Sequence, residues 1–178
     1  MIIVRLSFAA TAAVVLAACA TTGAPSPSTD LPKEIAVPEG HELVLRAAAR
    51  GSQIYACRPK AADASAYEWV FVAPEADLLD ADGRTLGRHF AGPTWQTADG
   101  SKIVGAVKEK APAQAGNIPW LLLSVKSAEG TGPLARAAFV QRVQTQGGVA
   151  PLSGCDAAHA GTEARVPYTA TYLFWAPR

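Results

Sequence analysis

The sequence predicts an all-β fold: one antiparallel sandwich or barrel of about eight short strands. Three observations carry this. Thirteen Pro and 15 Gly are spread along the 178 residues, punctuation too frequent for a helical bundle or coiled coil. The apolar residues come in short runs or alternate with a period of two rather than 3.6. No strand and helix alternation marks a βαβ unit.

Residues 1–18 stand apart from that fold. Arg5 precedes an apolar stretch from Leu6 to Leu16 that ends in small residues, the pattern of a cleaved secretion signal. The stretch is too short to span a bilayer as a helix, which takes about 20 residues. Leu16-Ala17-Ala18-Cys19 resembles the lipobox of bacterial lipoproteins, which implies that Cys19 is lipidated and becomes the N-terminus. More than one acyl chain is what stable anchoring requires. Ala20 follows the cysteine rather than an Asp that would resemble an inner-membrane retention signal, so the outer membrane is favoured if the cell is Gram-negative. Residues 19–37 are poor in large apolar side chains and contain Pro25, Pro27 and Pro32, as a tether should be. The all-β domain is therefore expected over residues 38–178.

Within the domain, residues 42–47 and 53–57 read as strands on either side of a Gly51-Ser52 turn. Residues 67–73 (YEWVFVA) are apolar on both faces and are expected at the centre of the core. Asp80-Ala81-Asp82-Gly83 marks a turn, and Ala98-Asp99-Gly100 joins residues 94–97 to residues 102–107 as a hairpin. Residues 118–125 form the most apolar run after the signal and are limited to strand length by flanking glycines. Residues 139–145 are read as a strand in preference to a short helix over 134–143, because Gly147-Gly148 and Pro151 follow as a loop. Residues 165–175 alternate most clearly, with Val166, Tyr168, Ala170, Tyr172 and Phe174 on one face. The Ala-rich residues 61–66 are read as a helical turn within a loop.

Composition narrows the function. Sixteen Lys+Arg against 15 Asp+Glu give a net charge of +1, and removal of Arg5 with the signal brings it to zero. A nucleic-acid partner calls for a basic excess or patch, so none is expected. Cys57 and Cys155 remain after lipidation of Cys19; an even pair in an exported domain most simply forms a disulfide, the alternatives being two buried thiols or a reactive pair. His41, His89 and His159 show neither His-X-X-X-His nor Cys-X-X-Cys spacing with the other ligand types, so no metal site or other cofactor is expected. Asp80 and Asp82 beside Gly83 lack the remainder of a calcium loop and read as a solvated turn.

Several separated motifs agree in order and spacing with one family: GSQIYAC at 51–57, YEW at 67–69, GRHFAGPTW at 87–95, DGS at 99–101, IPWLLL at 118–123 and QRVQTQGG at 141–148. Over roughly residues 38–176 the chain resembles the domain of unknown function 3455 family of bacterial and fungal exported proteins. The resemblance implies a single exported domain and carries over no activity and no catalytic residue.

The chemistry-bearing residues cluster at 89–101. His89, Trp95 and Asp99, with Trp120, provide aromatic faces beside hydrogen-bonding groups, a combination that suits a sugar ring or another flat, partly apolar ligand; they suit equally the packing of a core. Arg142 reads as inward-facing and in need of a partner, either Asp99, Glu68 or an anionic ligand group. Ser101, His89 and Asp99 have the residue types of a hydrolase triad, but no Gly-X-Ser-X-Gly elbow accompanies them, and no enzyme is expected. The expectation is a non-catalytic, lipid-anchored envelope domain that takes a small molecule, a glycan or an envelope protein as partner, with the membrane reached through its lipid. The alternatives are a structural or interaction protein without a pocket and, third, a hydrolase.

Overall fold

The computed structural model describes residues 31–178; the signal, Cys19 and the first part of the tether lie outside the described residues. Eight strands follow one another: β1 (His41–Lys60), β2 (Asp63–Leu79), β3 (Thr85–Phe90), β4 (Thr94–Thr97), β5 (Lys102–Ala111), β6 (Trp120–Glu129), β7 (Phe139–Gly147) and β8 (Glu163–Pro177). Each pairs antiparallel with its sequence neighbours, and β1 pairs with β8, so the sheet closes as a barrel. Between sandwich and barrel the structure chooses barrel, the arrangement that leaves the ring without an open edge.

Turn chemistry sets where strands end. Asp80 Oδ1 accepts from the backbone N–H groups of Asp82 and Arg84, closing the β2–β3 turn. Asp99 Oδ1 accepts from the Ser101 N–H and the Thr97 hydroxyl in the β4–β5 turn. These are side-chain contacts that Asp makes with its own local backbone in tight turns.

Strand alternation then decides inside from outside. Tyr168, Ala170, Tyr172 and Phe174 of β8 point inward with Ala47 and Ala49 of β1, Leu78 of β2, Trp95 of β4, Ile103 of β5, Leu123 of β6 and Val140 of β7. The face of β8 that reads most regularly in the sequence is thus the face that fills the barrel. A second apolar cluster lies on the outer wall, where Ala111, Leu122, Val143 and Leu173 would meet water but for Ile35. Residues 31–37, assigned to the tether from their composition, pack here: Ile35 is fully buried, and its carbonyl accepts from Gln141 Nε2 at 2.7 Å.

Three other expectations are corrected, the first being the helical turn over 61–66: only residues 61 and 62 turn, and β2 begins at Asp63. Gly51-Ser52 is not a turn, because β1 runs unbroken through it, paired with β2 on one side and β8 on the other. Residues 67–73 are not central: Phe71 and Val72 are 50% and 42% exposed. They belong to the part of the β1–β2 hairpin beyond the bulge at Ile54/Tyr55, where no further barrel strand covers β2. Strand β3, from Thr85 to Phe90, has too little alternation to stand out in the sequence and exists through its pairing with β2 and β4.

The Cys57–Cys155 disulfide ties this hairpin to the segment between β7 and β8, with Cα atoms 5.3 Å apart. The Cys57 N–H donates to Thr162, the Gly161 N–H donates to the Cys57 carbonyl, and Trp69 Nε1 donates to the Ser153 carbonyl at 2.9 Å. A disulfide is compatible with an exported protein. Among the described residues no helix is long and apolar enough to cross a membrane.

Candidate functional site

His89 and Trp95 face each other across the β3–β4 pair. Both side chains point into the barrel, where their rings stack at 4.5 Å with only 9° between planes. Tyr172 from β8 meets both edge-on, at 4.9 Å from His89 and 5.4 Å from Trp95. Such stacked and edge-to-face contacts are the arrangements that aromatic quadrupoles favour. Gly105 on β5 makes room for them: a Cβ there would lie 3.0 Å from the six-membered edge of the Trp95 ring.

His89 is anchored by its Nδ1, which lies 2.8 Å from the Thr94 carbonyl oxygen. A carbonyl only accepts, so Nδ1 carries the hydrogen and Nε2 the lone pair of the neutral ring. Burial pushes the pKa of His89 down to about 3, with the Arg142 guanidinium acting in the same direction and the Thr94 hydrogen bond opposing. The ring is therefore neutral at ordinary pH, a poor candidate for proton transfer and a good one for a fixed, flat wall.

Arg142 faces Tyr172 across the β7–β8 pair and points into the same interior. Its Nε and Nη2 donate to the Pro119 carbonyl at 3.2 and 2.9 Å, not to Asp99 or Glu68. Burial raises the pKa of the Tyr172 and Tyr168 hydroxyls, and the Arg142 guanidinium opposes the rise in each. Tyr55, likewise raised by burial and opposed by Arg142, donates its hydroxyl to the Gly148 carbonyl at 2.6 Å. Gly148 sits so close over Tyr168, Gln53 and Ile118 that a Cβ would come within 3.2 Å of each, and its φ of +80° suits glycine in any case.

The remaining candidates go elsewhere. Asp99 is exposed in the β4–β5 turn, where hydrogen bonds from Ser101 and Thr97 hold its carboxyl below the usual range. Ser101 is buried, its hydroxyl accepting from the Gly132 N–H at 2.9 Å. Asp99 and Ser101 meet in the β4–β5 turn, but His89 is held by Thr94 inside the barrel and hydrogen-bonds to neither, so the three do not form a hydrogen-bonded triad. Trp120 packs on the outer cluster under the N-terminal arm, as does Trp175, whose Nε1 donates to Gln141 Oε1 at 2.8 Å. His159 pairs locally with Asp156 and His41 with the Pro38 carbonyl. Among the described residues no three metal-ligating side chains cluster.

A groove of about 600 Å³ lies along the barrel wall where β1, β2 and β3 pair, and His89 is among its lining residues. Its rim is charged: Arg165 meets Glu75 at 2.7 Å and Arg88 approaches Asp77 at 3.7 Å, while Arg50 adds a cation. His89 is the residue common to the groove and the buried aromatic group.

The sequence profile described as "Protein of unknown function (DUF3455)" matches residues 38–176, from the segment leading into β1 to the end of β8. The chain belongs to the DUF3455 family. Neither the curated proteins nor the solved structures contain a match. The geometry described here for this DUF3455 chain, rather than any relative, therefore carries the functional reading. Sequence reasoning missed Gln53, Tyr168 and Tyr172 as members of the polar interior. The two tyrosines share the β8 face that the alternation identifies, but nothing in that pattern says that Arg142 from β7 lies opposite Tyr172.

Proposed function

We propose that this DUF3455 chain is a lipid-anchored protein of the bacterial cell envelope that acts as a non-catalytic binding module. The observation that supports the binding reading is the position of His89. It is among the residues that border the groove, and its ring, only 3% exposed, stacks on Trp95, neutral and held in one orientation by Thr94. The closed barrel around it supplies rigidity, since side chains held in a packed interior lose little further freedom when a ligand binds. The lipobox-like Leu16-Ala17-Ala18-Cys19 supports anchoring, and the disulfide is compatible with an oxidising compartment.

Two measurements test the two halves of the reading. Cys19→Ser should move the protein from the membrane to the soluble fraction and abolish the mass of the acyl groups; continued membrane attachment refutes lipid anchoring. Native mass spectrometry of protein released gently from its envelope should show a retained small molecule, lost on His89→Ala; bare protein only would count against a binding module. A second reading, an interaction protein that works through its surface, is favoured by one observation: Phe71, Val72, Val149 and Leu152 are exposed, the last completely. In that case partner capture would depend on Leu152→Ser and not on His89.

A further inference from the structure

Among the described residues, two buried side-chain polar atoms have no hydrogen-bond partner, Gln53 Nε2 and Trp95 Nε1, and both are N–H donors. Their side chains are 2% and 1% exposed. Both are on inward positions of their strands. Gln53 lies beside Tyr168 under Gly148, and Trp95 lies against Tyr172. The two tyrosine hydroxyls, 3.5 Å apart, link these places into one region. Arg142 enters that region from β7, opposite Tyr172. Among the described residues no carboxylate lies within ion-pairing distance of it; its Nε and Nη2 both rest on one neutral carbonyl.

Two orphaned N–H groups in a closed interior are a costly arrangement, each calling for an acceptor, and beside them lies a half-buried guanidinium whose hydrogen bonds go to one neutral carbonyl. We infer that the interior is a binding site for a small monocarboxylate with an apolar tail, the carboxylate accepting from Arg142 and from the Gln53 or Trp95 N–H. A guanidinium matches the planar carboxylate in charge and geometry. One cation neutralises a monoanion, whereas a phosphate dianion would keep a buried uncompensated charge. Neutral His89 adds no charge, and Lys110, which pairs with Leu121 and so shares the inward face by register, is exposed to solvent. The apolar tail would lie among Ile118, Leu121, Val140 and Phe174, which line the same interior. Arg142 is only partly buried, which puts its head group at the way in, beside the segment before β6.

This inference rests on the binding-module reading and names its ligand class. The test uses the mature ¹⁵N-labelled chain with hexanoate as probe and hexanol as the uncharged control. Hexanoate should shift the Trp95 indole N–H and Gln53 amide resonances saturably, and leave the indole signals of Trp69 and Trp175, which have carbonyl partners, in place. Hexanol should leave all four unmoved. Arg142→Met should weaken the titration about tenfold or more. If that variant does not fold, Gln53→Met, which removes a donor and keeps the charge, should weaken it as well. Absence of any shift with hexanoate up to about 10 mM, an equal response to hexanol, or an unchanged titration in the variants overturns the carboxylate site. A retained uncharged molecule in the envelope preparation would then leave the binding-module reading standing without it.

Discussion

Acidification should destabilise this barrel through one residue, His89. Its pKa is about 3 in the folded chain against 6.5 for an ordinary histidine, because burial penalises the imidazolium. Between those values the unfolded chain binds a proton that the folded chain does not. Stability contributed by the neutral ring is therefore complete above the unfolded pKa and is lost as the pH falls from about 6.5 toward 3. The slope approaches about 1.4 kcal/mol per pH unit, so moving from about pH 7 to about pH 5 should cost about 2 kcal/mol. The carboxylates do not share this window. Asp99, Asp80 and Asp156 are held below their usual range by hydrogen bonds, so their contributions are present above the unfolded carboxylate pKa and are lost only in more acid solution. The assay is urea unfolding at the two pH values for the wild type and for His89→Asn, whose amide N–H can replace Nδ1 toward Thr94 without titrating. The variant should be less stable at both pH values and lose about 2 kcal/mol less than the wild type between them. Equal losses in the two proteins would refute the assignment of a neutral, buried His89.

Three further perturbations probe the architecture. Reduction of Cys57–Cys155, which closes a loop over a sequence separation of 98, should remove roughly 4 to 5 kcal/mol; an unfolding midpoint indifferent to reductant would contradict the bond. Gly105→Ala should cost about 1 to 3 kcal/mol and alter the near-ultraviolet circular dichroism of Trp95, whose ring must give way to a Cβ 3.0 Å from it. No change in that spectrum would mean that Trp95 does not lie over Gly105. Ile35→Ala should cost about 2 to 4 kcal/mol in thermal or urea unfolding, since the side chain is fully buried against the outer wall. A cost within the range of ordinary surface changes, below about 0.5 kcal/mol, would show that the arm is not part of the folded domain.

Local chemistry alone determined a good deal of this protein. Alternation over residues 165–175 identified the inward face of β8, because a strand buried on one side must place every second residue in the core. The turns at Asp80–Gly83 and Asp99–Gly100 were legible because Asp and Gly satisfy tight turns within their own few residues. The motifs at 51–57, 87–95 and 141–148 placed the chain in its family. Barrel closure was not legible, since sandwich and barrel share the same alternation and differ only in whether the first and last strands pair. For the same reason residues 67–73, apolar on both faces, read as core although they lie on a hairpin that leaves the barrel wall. Ile35 had no periodic neighbours to mark it, and its burial depends on Leu122, Val143 and Leu173 from three distant strands. Of the site, His89, Trp95 and Arg142 were visible as residue types with chemistry. That they share one interior while Asp99 and Trp120 do not is a consequence of strand register. A shift of one residue reverses inside and outside, so only the tertiary structure could decide it.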